Sequence, residues 1–148
     1  MQTHPNLFML EQYLYHHPGP QTLVMLSTGV EAYLKINWPL ITHLEAESNY
    51  TRIHFFENPR PLLVRNCLKE FENKLPADCF LRIHRGDIIN LFMITHYFPN
   101  ERKVQLLDNT SLLVAPVHVH EFREKFQFWF GQLHSDPDTS PGESAPPS

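Results

Sequence analysis

Apolar and polar residues alternate in short runs along most of the chain between residues 22 and 115, and turn-forming residues separate the runs. Alternation with a period of two predicts strands that are buried on one face. The predicted strands are 23–27, 30–36, 40–46, 50–56, 62–65, 80–90 with a polar break at 84–87, 91–98, 104–107 and 112–115. Short turns between neighbouring runs favour hairpins, so the pattern predicts a mainly β fold.

Two stretches of this region show helical spacing instead. Residues 67–75 carry apolar side chains on one face, with Asn66 as the predicted N-cap and Pro76 as the stop. In 119–130, aromatic residues recur every three or four positions, which indicates a helix packed on the core. The predicted class is therefore α+β, with two helices added to the strands.

The composition suits one globular domain with extensions at both ends. The chain has 148 residues, of which 42% are hydrophobic, enough to bury one core. Residues 1–21 form an N-terminal arm with one short amphipathic helix, read either as a packing element or as a docking segment for a protein partner. Residues 22–131 form the domain, and the Pro- and Ser-rich residues 132–148 are expected to be a disordered tail.

Charge and cysteine usage narrow the class of protein. The formal net charge of -4 argues against indiscriminate binding of polyanions, so a nucleic-acid contact would need basic groups concentrated locally. The two cysteines suggest neither a disulfide framework nor a zinc site. No apolar run is long enough for a membrane span and no export signal opens the chain, so we expect a cytoplasmic protein that does not contact a membrane.

Catalytic motifs are missing from the sequence. It contains no GxSxG, HExxH, GxxxxGK or GxGxxG pattern. The paired histidines His16 and His17, and likewise His118 and His120, have no further ligand marked by spacing. We therefore expect neither an enzyme nor a bound cofactor or metal.

Donor-rich residues gather at two predicted turns. Asn49, Tyr50, Thr51 and Arg52 surround the tip of one hairpin, and His84 with Arg85 occupies the polar break of the central strand. Such side chains bind phosphates and read base edges, and functional residues are often found on loops. The alternative is that the arginines are ordinary surface residues of strands with solvated guanidinium groups.

Three blocks of the sequence resemble the LytTR DNA-binding domain family of bacterial response regulators, over about residues 22–130. Residues 41–51 (ITHLEAESNYT) are similar to the family's "I.yiea..nYt". Residues 63–76 (LVRNCLKEFENKLP) are similar to its strand and "sLkelee.Lp" helix, and 80–90 (FLRIHRGDIIN) follow "F.RiHRS.iVN" with Gly86 where serine is usual. The three blocks occur in the family's order and at its intervals.

The resemblance implies an elongated arrangement of small antiparallel sheets that inserts loops into successive major grooves of duplex DNA. It places Thr51 and Arg52, with Asn49 and Tyr50 beside them, in the first contact loop. It places His84, Arg85 and Gly86 in the second. Family members carry basic residues in a third region before the last helix, whereas this chain has 115–117 (APV), and His118 is the nearest substitute.

Two functional hypotheses follow. In the first, the chain is a stand-alone transcriptional regulator without a receiver domain, which binds double-stranded DNA as a homodimer or in pairs on direct repeats. In the second, it is an interaction module of the same fold that has lost DNA binding and regulates a partner protein. A continuous positive surface joining Arg52 and Arg85 would favour the first, and acidic groups between them the second.

Overall fold

Ten strands and three helices make up the part of the chain that the structure, a computed structural model, describes: residues 4–26, 32–131 and 133. The strands are β1 (Thr22–Leu26), β2 (Tyr33–Asn37), β3 (Ile41–Glu47), β4 (Tyr50–Phe55), β5 (Asn58–Val64), β6 (Phe80–His84), β7 (Asp87–Asn90), β8 (Ile94–Phe98), β9 (Lys103–Leu106) and β10 (Ser111–Leu113). The helices are α1 (Pro5–His16), α2 (Leu68–Lys74) and α3 (Val119–Phe130). The predicted class is confirmed, with two helices in the domain and a third in the N-terminal arm.

The strands form three sheets in which every pairing is antiparallel. They are a two-stranded hairpin of β1 and β2, a three-stranded sheet of order β10-β9-β8 and a five-stranded sheet of order β5-β4-β3-β7-β6. The predicted turn of the first hairpin, around residues 28–29, and nearly all of the predicted tail lie outside the described residues.

The five-stranded sheet is covered on both faces by separate apolar clusters. Ile88 belongs to the cluster formed with α1, α2 and the β1–β2 hairpin, whereas its neighbour Ile89 belongs to the cluster formed with the three-stranded sheet and α3. Successive residues of a strand point to opposite faces, so β7 contributes to both cores. This strand lies in the interior of the sheet and carries no exposed residue.

Aromatic contacts attach the two long helices to the core. The ring of Tyr13 in α1 lies 5.8 Å from that of Phe92 and 5.7 Å from that of Trp129 in α3. The indole nitrogen of Trp129 donates to the carbonyl of Asp78 at 2.9 Å. The N-terminal arm is therefore a packing element in the described part, and the opposite face of α1 leaves Phe8 and Tyr15 exposed.

Buried Asn90 connects three segments of the core. Its amide nitrogen donates to the carbonyl of Ile41 at 2.9 Å, and its oxygen accepts from the amide of Phe92 at 3.0 Å. The second bond caps a 3-10 turn, Leu91–Met93, through which the chain leaves the five-stranded sheet and enters β8. The prediction of a continuous strand from 91 to 98 is therefore wrong for its first three residues.

Two other local predictions are corrected. The strand predicted over 62–65 begins earlier, because residues 58–61, which contain two prolines, form the start of β5. Strand β5 lies at the edge of its sheet, where proline is tolerated because no donor is needed on the outer side. The predicted N-cap Asn66 is replaced by Cys67, whose amide donates to Glu70 at 3.0 Å, while the side chain of Asn66 donates to the same carboxylate.

Both cysteines are free: Cys67 is exposed and Cys79 is buried. Among the described residues, no helix combines the length and apolar character required to cross a bilayer.

Candidate nucleic-acid interface

The tip of the β3–β4 hairpin presents polar side chains to solvent. Ser48 adopts a positive φ of 55°, which closes the tight turn between Glu47 and Tyr50. Asn49 is exposed, and the side chain of Tyr50 is 41% exposed. Two of the predicted contact residues are therefore available to a ligand at this tip.

Thr51 points the other way. It is fully buried, and its hydroxyl donates to the carbonyl of Asn66 at 2.6 Å. The strand alternation explains the arrangement, because Tyr50 and Arg52 on either side face solvent. Thr51 thus joins the hairpin tip to the segment that leads into α2, and it offers no free donor at the surface.

Arg52 is accessible but engaged by acidic groups. Its guanidinium forms an ion pair with Glu47, donating from Nε at 2.7 Å, and Nε lies 3.8 Å from an oxygen of Glu45. About a third of its side chain is exposed. A phosphate or base would have to compete with these carboxylates for the same donors.

The β6–β7 turn is held in place by Arg82. The guanidinium of Arg82 donates to the carbonyl of His84 at 3.1 Å and to the carbonyl of Arg85, and it pairs with Glu72 at 2.8 Å. The amide of Gly86 donates to Nδ1 of His84 at 3.2 Å. These bonds fix the backbone of the turn and leave the side chain of Arg85 exposed at its tip.

The two turns meet at one end of the five-stranded sheet. The amide of Ala46 donates to the carbonyl of Gly86 at 2.9 Å, and Glu45 lies opposite Asp87 in the β3–β7 ladder. The residues predicted at separate positions in the sequence are therefore neighbours in space.

The segment before α3 lies beside this end of the sheet. The amide of Ala115 donates to the carbonyl of Ile83 at 2.8 Å, which places residues 115–118 along the outer edge of β6. His118 is half-buried and lines a cavity of about 190 Å³ together with Glu72 and Arg82. Val117, at 83% exposure, is the most accessible large residue of the segment.

Sequence reasoning missed one arginine of this surface. Strand β5 ends at Val64 opposite Thr51, so Arg65 follows at the same end of the sheet as the two turns, and it is exposed. In the described part of the chain, no carboxylate forms an ion pair with Arg65 or with Arg85. No pattern along the sequence marks Arg65, because its position depends on the register of β5 against β4.

Acidic groups interrupt the surface between Arg52 and Arg85. Besides the two glutamates, Asp87 lies 4.0 Å from Nδ1 of His84, and burial raises the pKa of this carboxyl group above its usual value. The arginines at this end of the sheet fall into two sets: Arg52 and Arg82 pair with glutamates, whereas Arg65 and Arg85 form no ion pair within the part of the chain that the structure describes.

Comparisons with known proteins agree with this architecture. The sequence pattern of the LytTR DNA-binding domain matches residues 31–127, well over half of the chain. A solved LytTr DNA-binding domain from Bacillus cereus superimposes with a TM-score of 0.61 at 23% identity, covering 72% of this chain and 97% of that one, a likeness of fold. No curated protein matches the chain. The chain belongs to the LytTR DNA-binding domain family.

Proposed function

We propose that this chain is a sequence-specific regulator of transcription that binds duplex DNA through the end of the sheet where the β3–β4 and β6–β7 turns meet. The observation that carries the proposal is the hydrogen bond from Ala46 to Gly86, because it unites both turns into one surface. Donors that can position the backbone and donors that can read base edges are therefore presented on one surface.

The roles of the residues follow from exposure and pairing. Arg85 projects from a fixed turn and forms no ion pair within the described residues, which suits a bidentate contact to guanine in the major groove. Asn49 and Tyr50 supply exposed donors for phosphates or base edges at the neighbouring tip. Arg65, beside the two turns, suits a phosphate contact. Thr51 stabilises the hairpin tip through its buried hydrogen bond to Asn66.

The remaining contacts depend on groups that are engaged in the free protein. Arg52 reaches DNA after exchanging Glu47 for a phosphate, and His84 and Gly86 contribute through the shape and amides of their turn. His118 contributes little, because it lines a cavity rather than the exposed tip.

The proposal also includes the binding of two copies to DNA, the docking of a protein partner on the exposed face of α1, and a cytoplasmic location.

Selection of bound sequences from a random duplex pool, followed by affinity measurements on the winning duplex, tests this proposal. Arg85→Ala is expected to weaken specific binding by about tenfold or more, the loss of one bidentate base contact. Arg60→Ala is the matched control: Arg60 is exposed on β5 at the opposite end of the sheet. Equal affinities of the two variants would contradict the assigned surface.

A second function is favoured by one specific observation. The carboxylates of Glu45, Glu47 and Asp87 lie among the proposed contact residues, and Val117 is exposed where the family carries basic residues. An interaction module that regulates a protein partner through this surface would suit both features. Recovery of no sequence motif from the duplex pool would favour this second function.

A further inference from the structure

Two histidines and a glutamate converge on the face of the sheet that carries the candidate interface. His43 in β3 and His54 in β4 are direct cross-strand partners, and their imidazole rings are stacked with centroids 4.1 Å apart and planes 5° apart. Nε2 of His54 lies 2.7 Å from Oε1 of Glu45. One ligand atom from each of the three residues can be chosen such that all lie within 4.8 Å of one another.

The surroundings prepare His43 to act as a ligand. The hydroxyl of Thr42 donates to the carbonyl of His54 at 3.2 Å, so at 3.1 Å it accepts from Nδ1 of His43. This arrangement places the proton of His43 on Nδ1 and leaves the lone pair on Nε2. A hydrogen bond that fixes the tautomer of a histidine in this way is typical of metal-binding imidazoles.

We propose that His43, Glu45 and His54 form a binding site for a divalent transition metal, with Zn²⁺ as the expected ion. Two imidazole nitrogens and one carboxylate oxygen are a ligand set that Zn²⁺ takes in proteins, with a fourth position left for water or another donor. Nothing in the family match or the proposed DNA contact requires such a site.

Small side-chain movements suffice to form the metal site. Tetrahedral zinc with bonds of about 2.1 Å separates its ligand atoms by roughly 3.4 Å, so a pair at the 4.8 Å limit has to approach by roughly 1.4 Å. Nε2 of His54 and the glutamate oxygen have to separate slightly. Rotation of the rings out of their parallel stack provides both changes, since His54 and Glu45 are partly exposed.

A fourth ligand would approach from the His54 side of the cluster. A cavity of about 390 Å³ lies beside the cluster and is lined by His54, Glu57 and Asp108 among others. A water molecule in this cavity, or the carboxylate of Asp108, could complete the coordination. The strands themselves supply the other three ligands from one rigid ladder.

The protein also balances part of the charge of a bound ion, because the carboxylate of Glu45 supplies negative charge.

Calorimetric titration of the full chain with Zn²⁺, after dialysis against a chelator, tests the site without DNA. We expect one tight equivalent in the native protein, and a loss of about tenfold or more in affinity in His54→Gln and in Glu45→Gln. His120→Gln is the matched control, because the side chain of His120 is 88% exposed and pairs with Glu124, away from the cluster. It should leave the tight equivalent unchanged.

Side-chain nitrogen NMR spectra identify the ligands directly. On addition of one equivalent of Zn²⁺, the ring nitrogens of His43 and His54 should shift while those of His96 and His120 do not. The proposal is overturned if native protein takes up no Zn²⁺ at micromolar concentrations, or if the tight equivalent survives in the folded His54→Gln and Glu45→Gln variants.

Discussion

The guanidinium of Arg82 donates to the main-chain carbonyl of Arg85, so that one arginine holds the turn from which the other projects. Arg82 also donates to the carbonyl of His84 and forms an ion pair with the carboxylate of Glu72 in α2. The presence of a positive charge at each position would not by itself distinguish these roles. The contacts assign support of the turn to Arg82 and availability for a ligand to Arg85.

Arg82→Lys is expected to weaken the turn while keeping the charge. Lysine cannot reproduce the planar fork that reaches two carbonyls and a carboxylate. We expect the free energy of unfolding to fall by about 1 to 2 kcal/mol, as for the loss of one or two partly exposed hydrogen bonds. Urea denaturation measures this, with Arg60→Lys as the control, and equal stability of the two variants would contradict the role of Arg82.

Gly86→Ser should be tolerated. An added Cβ at Gly86 would meet only Nδ1 of His84, at 3.7 Å, which is ordinary van der Waals contact. The free energy of unfolding should stay the same or rise by about 0.5 kcal/mol, because glycine loses more chain entropy on folding. A drop of more than about 1 kcal/mol on thermal denaturation would show that the turn requires glycine.

Glu47→Gln is expected to strengthen binding of the selected duplex. The substitution removes a negative charge from the surface and releases Arg52 for a phosphate. We expect a gain of about 1 kcal/mol, roughly fivefold in affinity, and a steeper dependence on salt concentration. Titrations at several salt concentrations measure both effects.

Glu57→Gln serves as the control for that substitution, because Glu57 is exposed in the β4–β5 turn at the other end of the sheet. If both variants bind the duplex equally well, the gain reflects only net charge and not the release of Arg52.

The two cysteines should react with iodoacetamide at very different rates. Cys67 is exposed, whereas burial raises the pKa of Cys79 to about 12, so its reactive thiolate is almost absent near pH 8. In a Cys67→Ser variant, labelling should be slow in buffer and fast in denaturant. Rapid labelling of that variant in buffer, followed by mass spectrometry, would show that the core around Cys79 opens readily.

Asn90→Ala should be strongly destabilising. The substitution leaves the carbonyl of Ile41 and the amide of Phe92 without their buried partner. A cost of about 2 to 4 kcal/mol is expected from two unsatisfied groups and a small cavity. Asn100→Ala, at an exposed position, is the control in the same urea denaturation series, and similar midpoints would contradict the assigned role.

The spacing of apolar residues predicts those helices and strands in which buried and exposed positions recur at regular intervals. The bounds of α3 agree with its aromatic spacing, and the hairpin of β3 and β4 agrees with its alternation to within a residue or two. The same alternation would have turned Thr51 inward, since its neighbours face solvent. The family resemblance assigns Thr51 to a contact loop, whereas the alternation agrees with its buried position.

Features that depend on register could not be predicted from the sequence. His43 and His54 are eleven positions apart, and only the ladder between β3 and β4 stacks their rings. The pairing of Arg52 with two glutamates and the position of Arg65 also depend on which residues lie opposite each other. Contacts between side chains on neighbouring strands depend on the register of the strands, and the spacing of residues along the chain does not reveal this register.

The opposite orientations of Ile88 and Ile89 have a consequence for recognition. Because β7 is anchored in both apolar clusters, the turn that precedes it cannot tilt toward either face without disturbing one of the cores. Arg85 is therefore presented from a pre-organised base, and little backbone entropy is lost when a ligand captures it. The side chain of Arg85 can therefore adjust to a ligand while its backbone stays in place.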